Sequence, residues 1–302
     1  MEGKKRAMKF GLLGQLQVEN ADGSCVPVEA PRQRAVLAVL LLSSNRVVSA
    51  EALIDMVWDG APPRGAANTV RAYVMRLRKT LGPEAAARIE TCDPGYLLRI
   101  GPHELDAATF ESLWRQTAAA VHAGGEEWQS AGVKSRRALR LWRGTPLIDV
   151  HSRTLRDAWV PRFEQQHLQL LEWRIEAALE LGRSNAQIPE VAGLIRQHPL
   201  REPLYRLHML ALARADRTGD ALAVYREARA VLIDQLGIEP GIELQRLHQR
   251  LLDGQVPATG ARPPAGTTGT TTGTTGAAGT ASTAGADNPV AHPSSTRWNP
   301  AG

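Results

Sequence analysis

Residues 68–82 read NTVRAYVMRLRKTLG, and the reading of this stretch decides the fold. At 100° per residue, Val70, Val74, Leu77 and Leu81 fall within about 60° of one another, a narrow stripe that a helix would turn to a core. The same segment carries Arg71, Arg76, Arg78 and Lys79 and no acidic residue. A basic run is most often a solvated helix face. An ordinary surface helix mixes signs, however, because Glu–Lys pairs one turn apart support it, and this one has none.

The flanks give the helix a context. Pro31 opens RQRAVLAVLLLSSN, apolar on most faces and therefore central to a core. Ser49 is placed to cap a second helix, AEALIDMVW, with Leu53, Val57 and Trp58 turned inward. Asp59 to Gly65 holds two glycines and two adjacent prolines, so it reads as a loop. Beyond a connection at Pro83 to Arg88, IETCDPGYLLRI reads as strand, Asp-Pro-Gly turn and strand. Upstream, Phe10 to Val18 and Val26 to Val28 read as short strands. Three helices followed by a hairpin make the winged-helix plan, in which the third helix enters a DNA groove and the hairpin touches the adjacent backbone.

From about Asp106 the texture changes. Helical periodicity runs to Leu252, interrupted near Gly124-Gly125, Arg143 to Ser152, Ser184 to Pro189 and Pro199. This predicts six to eight helices in antiparallel pairs, a degenerate helical-repeat domain. The tryptophans at 114, 128, 142, 159 and 173 suit packing between helices. After Gly254 the chain becomes TTGTTTGTTGAAGTAST, which has almost nothing to bury and reads as a disordered tail.

The predicted fold is mainly α. It has a winged helix-turn-helix over 1–103, an all-α helical-repeat domain resembling tetratricopeptide stacks over 104–254, and a Thr/Gly/Ala-rich tail over 255–302. The 302 residues carry a formal net charge of +5, which suits a polyanionic partner. Two cysteines offer no disulfide framework, and no signal peptide or apolar run of spanning length is evident, so the expectation is a cytoplasmic protein without a membrane partner. Eight histidines include no HExxH, and there is no GxSxG, P-loop or GxGxxG. No enzyme activity, cofactor, metal or small-molecule ligand is therefore expected.

The run LIDMVWDGAPPRGAANTVRAYVMRLRKTLG, with the later DPGYLL, resembles the OmpR-type winged helix of the Streptomyces antibiotic regulatory protein family. The segments RGTPLIDV and HPLREPLYRLHMLALARADRTGDALAVYREARAVLIDQLGIEPGIELQRLHQRLL resemble that family's bacterial transcriptional activation domain. The resemblance covers roughly residues 8–253, in the family's order. It implies a sequence-specific DNA-binding activator of secondary-metabolite genes, bound to promoter direct repeats as a dimer and recruiting RNA polymerase with its sigma factor. By position it assigns Arg76 and Ala72 to bases. It sets Asn68, Thr69, Tyr73, Met75 and Arg78 against phosphates or groove walls, and Met75 stands where a basic residue is common. Arg71 and Lys79 join them on the basic face, while Thr91 and Arg99 of the wing reach toward the backbone. Asp93 at the wing tip would repel phosphate. The loop Trp58, Asp59, Gly60, Ala61, Pro62, Pro63 and Arg64 matches the segment that approaches the polymerase in relatives. Two other readings stay open on the residues alone: a helical-repeat interaction scaffold, and a repressor using the same winged helix.

Overall fold

A computed structural model describes residues 8–259. The expected disordered tail lies outside the described residues, apart from its first few positions. Two short strands, β1 (Lys9–Gly11) and β2 (Gln17–Glu19), pair antiparallel with Phe10 opposite Val18. The helix α1 (Pro31–Leu42) follows and buries seven consecutive residues, Ala35 to Leu41. Such all-round burial is what its apolar sequence requires. After β3 (Val47–Ser49), Ser49 Oγ accepts from Ala52 N at 3.1 Å and caps α2 (Ala50–Trp58). Next come α3 (Ala66–Arg88) and the hairpin β4 (Ile89–Cys92) and β5 (Gly95–Leu98), joined through a cis Asp93–Pro94 bond. The second sheet runs β3-β5-β4, all antiparallel, with Val48 opposite Tyr96. Gly95 is required there: a Cβ would strike the backbone at Val48 and Ser49.

Seven helices complete the described chain: α4 (Asp106–Ala123), α5 (Glu127–Leu139), α6 (Arg153–Glu180), α7 (Ser184–Gln197), α8 (Glu202–Ala213), α9 (Thr218–Leu236) and α10 (Ile242–Leu252). Sequence neighbours pack on one another, α4 on α5 and α5 on α6, then α7 on α8 and α8 on α9. Three glutamates one turn apart on α6 face arginines within α8 or capping its two ends. Glu172 meets Arg201 at 2.7 Å, Glu176 meets Arg206 at 2.7 Å and Glu180 meets Arg214 at 2.9 Å. The spacing of four residues puts all three carboxylates on one face of α6.

The apolar core ignores the boundary expected near residue 103. Phe110 of α4, Ala138 of α5 and Trp159, Phe163 and Leu170 of α6 belong to one buried cluster with Val36 to Leu41, Val70, Val74 and Leu77. A second cluster lies among α6 to α10, around Tyr205, Leu207 and Met209.

Several local expectations change. The Phe10 to Val18 strand is two strands separated by a turn, and Val26 to Val28 is no strand, although Val26 N donates to Val18 O at 2.8 Å. Pro83 to Arg88 is helical. Gly82 leaves helical geometry at φ 77°, ψ 173°, and Pro83 then occupies the first position of a new turn, where its missing N–H costs nothing. The break expected at Ser184 to Pro189 lies just before it, at Leu181 to Arg183, and α7 contains Pro189.

Candidate nucleic-acid interface

The helix α3 starts at Gly65, whose φ of 79° reverses the chain after the proline loop. Val70, Val74, Leu77 and Leu81 are buried against α1 and α2, which fixes the rotation of the helix about its axis. That rotation decides what faces solvent. Asn68, Arg71, Met75, Arg76 and Lys79 are exposed, Met75 by 69 %, and Thr69 and Ala72 are half-buried beside them. Arg71 Nη1 donates to Asn68 Oδ1 at 3.3 Å. Arg76 and Lys79 form no ion pair among the described residues. Positions 68, 72, 75 and 79 run along one line of the helix, with Arg71 and Arg76 on either side. The result is a strip with small and flexible groups along its middle and guanidinium groups at its edges, free of carboxylates.

The remaining expected contacts divide differently from what the sequence suggested. Arg78 is turned into the protein: Nε and Nη2 donate to Ile89 O at 3.1 and 2.6 Å, and Nη2 donates to Thr91 Oγ1 at 3.0 Å. It ties α3 to β4 and thereby sets the wing relative to the helix. Arg99 grips Glu90 through two hydrogen bonds of 3.0 and 3.3 Å, and that bonding raises its already high pKa. Tyr73 stacks on Trp58 with ring centroids 6.1 Å apart. Asp93 is exposed at the hairpin tip, where its charge opposes a phosphate.

The expected polymerase loop also splits. Trp58 ends α2 and lies between Tyr73 and the Arg32 guanidinium, which sits 5.9 Å above its ring. Asp59 turns to the helical region, where its Oδ1 accepts from Thr154 N at 2.9 Å and lies 3.2 Å from Ser152 Oγ. Burial alone would raise the Asp59 pKa, but the hydrogen bonds from Thr154, Ser152 and Arg153 outweigh it and lower it. Ser152 Oγ also donates to Met56 O at 2.6 Å and accepts from Leu155 N, capping α6. Gly60, Ala61, Pro62, Pro63 and Arg64 are exposed and form the free part of the loop.

A further polar seam was not foreseen. Asp106 Oδ1 and Oδ2 accept from Leu12 N at 2.7 Å and Leu13 N at 3.1 Å, and Arg143 Nη2 joins Oδ2 at 3.1 Å. Burial is the largest influence on Asp106 and raises its pKa despite these donors. Gly11 leaves room for the Arg143 guanidinium, which a Cβ would displace. Asp149 accepts from Leu16 N at 2.9 Å. Carboxylates at the ends of α2, α4 and the segment before α6 thus hold the winged helix to the helical region.

Two family models match the chain in succession: "Transcriptional regulatory protein, C terminal" over residues 28–98 and "Bacterial transcriptional activator domain" over residues 105–252. Regulatory protein DnrI of Streptomyces peucetius is 35 % identical over 85 % of this chain and 97 % of its own length. Regulatory protein AfsR of Streptomyces coelicolor is 38 % identical over 83 % of this chain but only 25 % of its own. A solved structure of Mycobacterium tuberculosis EmbR, in complex with a low-affinity phosphopeptide, superposes with a TM-score of 0.78 at 36 % identity, covering 83 % of this chain and 66 % of that one. With both domains in order and one relative matched along nearly its whole length, the chain belongs to the Streptomyces antibiotic regulatory protein family of transcriptional regulators.

Proposed function

We propose that the protein is a cytoplasmic activator that binds promoter direct repeats as a dimer and recruits RNA polymerase holoenzyme to secondary-metabolite genes. The observation that carries the DNA-reading part is the carboxylate-free outer strip of α3. Arg76 has no ion pair among the described residues and carries a guanidinium with the reach to pair with a guanine edge, while Arg71 and Lys79 suit phosphates. Ala72 is small enough to admit a thymine methyl. Asn68, Thr69 and Met75 line the groove wall. Arg78, Thr91, Arg99 and Tyr73 support the geometry of helix and wing through their bonds to the protein rather than acting as the main contacts. The exposed loop Gly60 to Arg64, stiffened by two prolines, is the part of the expected polymerase surface still free to meet sigma factor.

Footprinting upstream of neighbouring genes with wild type and Arg76→Ala tests this reading. We expect two protected direct repeats, and relaxed base preference at one position per repeat in the variant. Unchanged affinity and preference in Arg76→Ala would remove the proposed contact. Transcription in vitro from the protected promoter should rise with added protein; a fall would make the protein a repressor.

A further inference from the structure

Residues 128–148 form a second basic stretch, with Lys134, Arg136, Arg137, Arg140 and Arg143 and no carboxylate among them. It covers most of α5 and the turn after it, far in sequence from α3. Part of it borders a crevice of about 370 Å³ between the β1–β2 hairpin and the helices α4 and α5. Arg137, Arg140 and Arg143 line one wall, and Lys9 and Glu19 line the other.

Most of the acid around this crevice is already committed. Asp106 is held by two backbone N–H groups and by Arg143. Glu104 is held by Arg88 at 2.6 Å and by Gly101 N at 2.6 Å. Arg143 in turn spends its guanidinium on Asp106 and on Gln15 O at 3.1 Å. Lys9, Arg137 and Arg140 are exposed and form no ion pair among the described residues, and of the three carboxylates lining the crevice Glu104 and Asp106 are bound as above, so the lining carries four cations against three acids. Cations without an ion pair thus face one another across a concave site whose volume suits a small molecule. Guanidinium groups bind the oxygens of phosphate or carboxylate through paired hydrogen bonds.

We propose that this crevice binds a small polyanion, held by Arg137 and Arg140 on the α5 side and by Lys9 on the hairpin side. The site lies on the seam between winged helix and helical region, so its occupant bridges the two. It is separate from the DNA-reading strip, and its existence does not depend on that reading.

The test is calorimetric titration of the full chain with pyrophosphate and, separately, with citrate, at matched ionic strength. At least one anion should bind saturably. The variant Arg137→Ala/Arg140→Ala should bind it about tenfold or more weakly, while Arg76→Ala binds it like wild type. Stronger binding of pyrophosphate identifies a phosphorylated ligand, and stronger binding of citrate a polycarboxylate. The proposal is overturned if neither anion saturates, or if Arg76→Ala weakens binding as much as the double variant. It is equally overturned if no anion binds and the double variant instead loses affinity for duplex DNA, since the basic stretch would then be a backbone-contact surface. Both substituted arginines are exposed, so an unchanged Tm in the double variant confirms that it is folded.

Discussion

Arginine has opposite fates in α3 and α8. Along α6 and α8, Arg201, Arg206 and Arg214 each meet a glutamate placed one turn from the next, and the Arg214–Glu180 pair is more than 90 % buried on both sides. On α3, Arg71 and Arg76 stand exposed with no carboxylate in the helix before Glu84. The difference teaches that the protein's positive charge has two uses. Where a carboxylate faces it, the guanidinium holds helices together. Where acids have been kept away, it is available to a partner from outside. Arg78 shows that the distinction is made residue by residue, because within the same basic run it bonds Ile89 O rather than facing solvent.

Removing single charges can break or sharpen this contrast. The largest effect should follow Arg214→Ala, which strips a buried carboxylate of its guanidinium and costs about 3–5 kcal/mol in chemical denaturation. Arg76→Ala should leave the denaturation curve in place and cost about 1–3 kcal/mol in affinity for the specific site, measured by gel shift. If Arg76→Ala unfolded the protein, or Arg214→Ala affected only DNA, the division of roles would be wrong. Ser152→Ala removes the α6 cap and the bond to Met56 O. It should destabilise by about 1–2 kcal/mol without changing base preference in a footprint. Acid probes the same contrast by titration. His167, whose ring centroid lies 4.2 Å from that of Trp142 in a tilted arrangement, has its pKa lowered by burial and by His198; His208 is lowered by burial and by Arg217. A depressed histidine pKa means the unfolded chain binds more protons, so stability falls as pH drops through about 6.5. His167→Gln should flatten that part of the Tm–pH curve. The smallest effect belongs to Arg246→Ala, whose pair with Glu243 is exposed on both sides; its stability change should stay within about 0.5 kcal/mol.

What the sequence could show follows from range. Stripes such as Val70, Val74, Leu77 and Leu81, the Ser49 cap and the turn at Asp93 are local, and periodicity reveals them. The strand Val47–Ser49 has three residues and exists because Tyr96 and its neighbours pair with it across almost fifty positions. The stop signal at Gly82-Pro83 was real but concealed a restart, since proline that ends one helix opens another. At the candidate site, the wheel placed Arg76 and Lys79 outward correctly. It could not show that Arg78 meets Ile89 O or that Arg99 meets Glu90, because a wheel contains no neighbours. Least visible were Asp59, Asp106 and Asp149. Each bonds backbone roughly 90 to 130 positions away, and a lone aspartate carries no mark of such a partner.

The helix α6 gives the molecule a boom. Its 28 residues span roughly 42 Å at 1.5 Å per residue. Its first part is held to the winged helix by Ser152, Asp59 and the buried Trp159, Phe163 and Leu170, and its far end is bolted to α8 and its caps through three glutamates one turn apart. A rotation of about 6° at the pinned end sweeps the far end through roughly 4 Å, nearly three residues of helical rise at about 1.5 Å each. A load on the helices beyond residue 180 is therefore felt as torque at α2, which packs directly on the helix carrying Arg76.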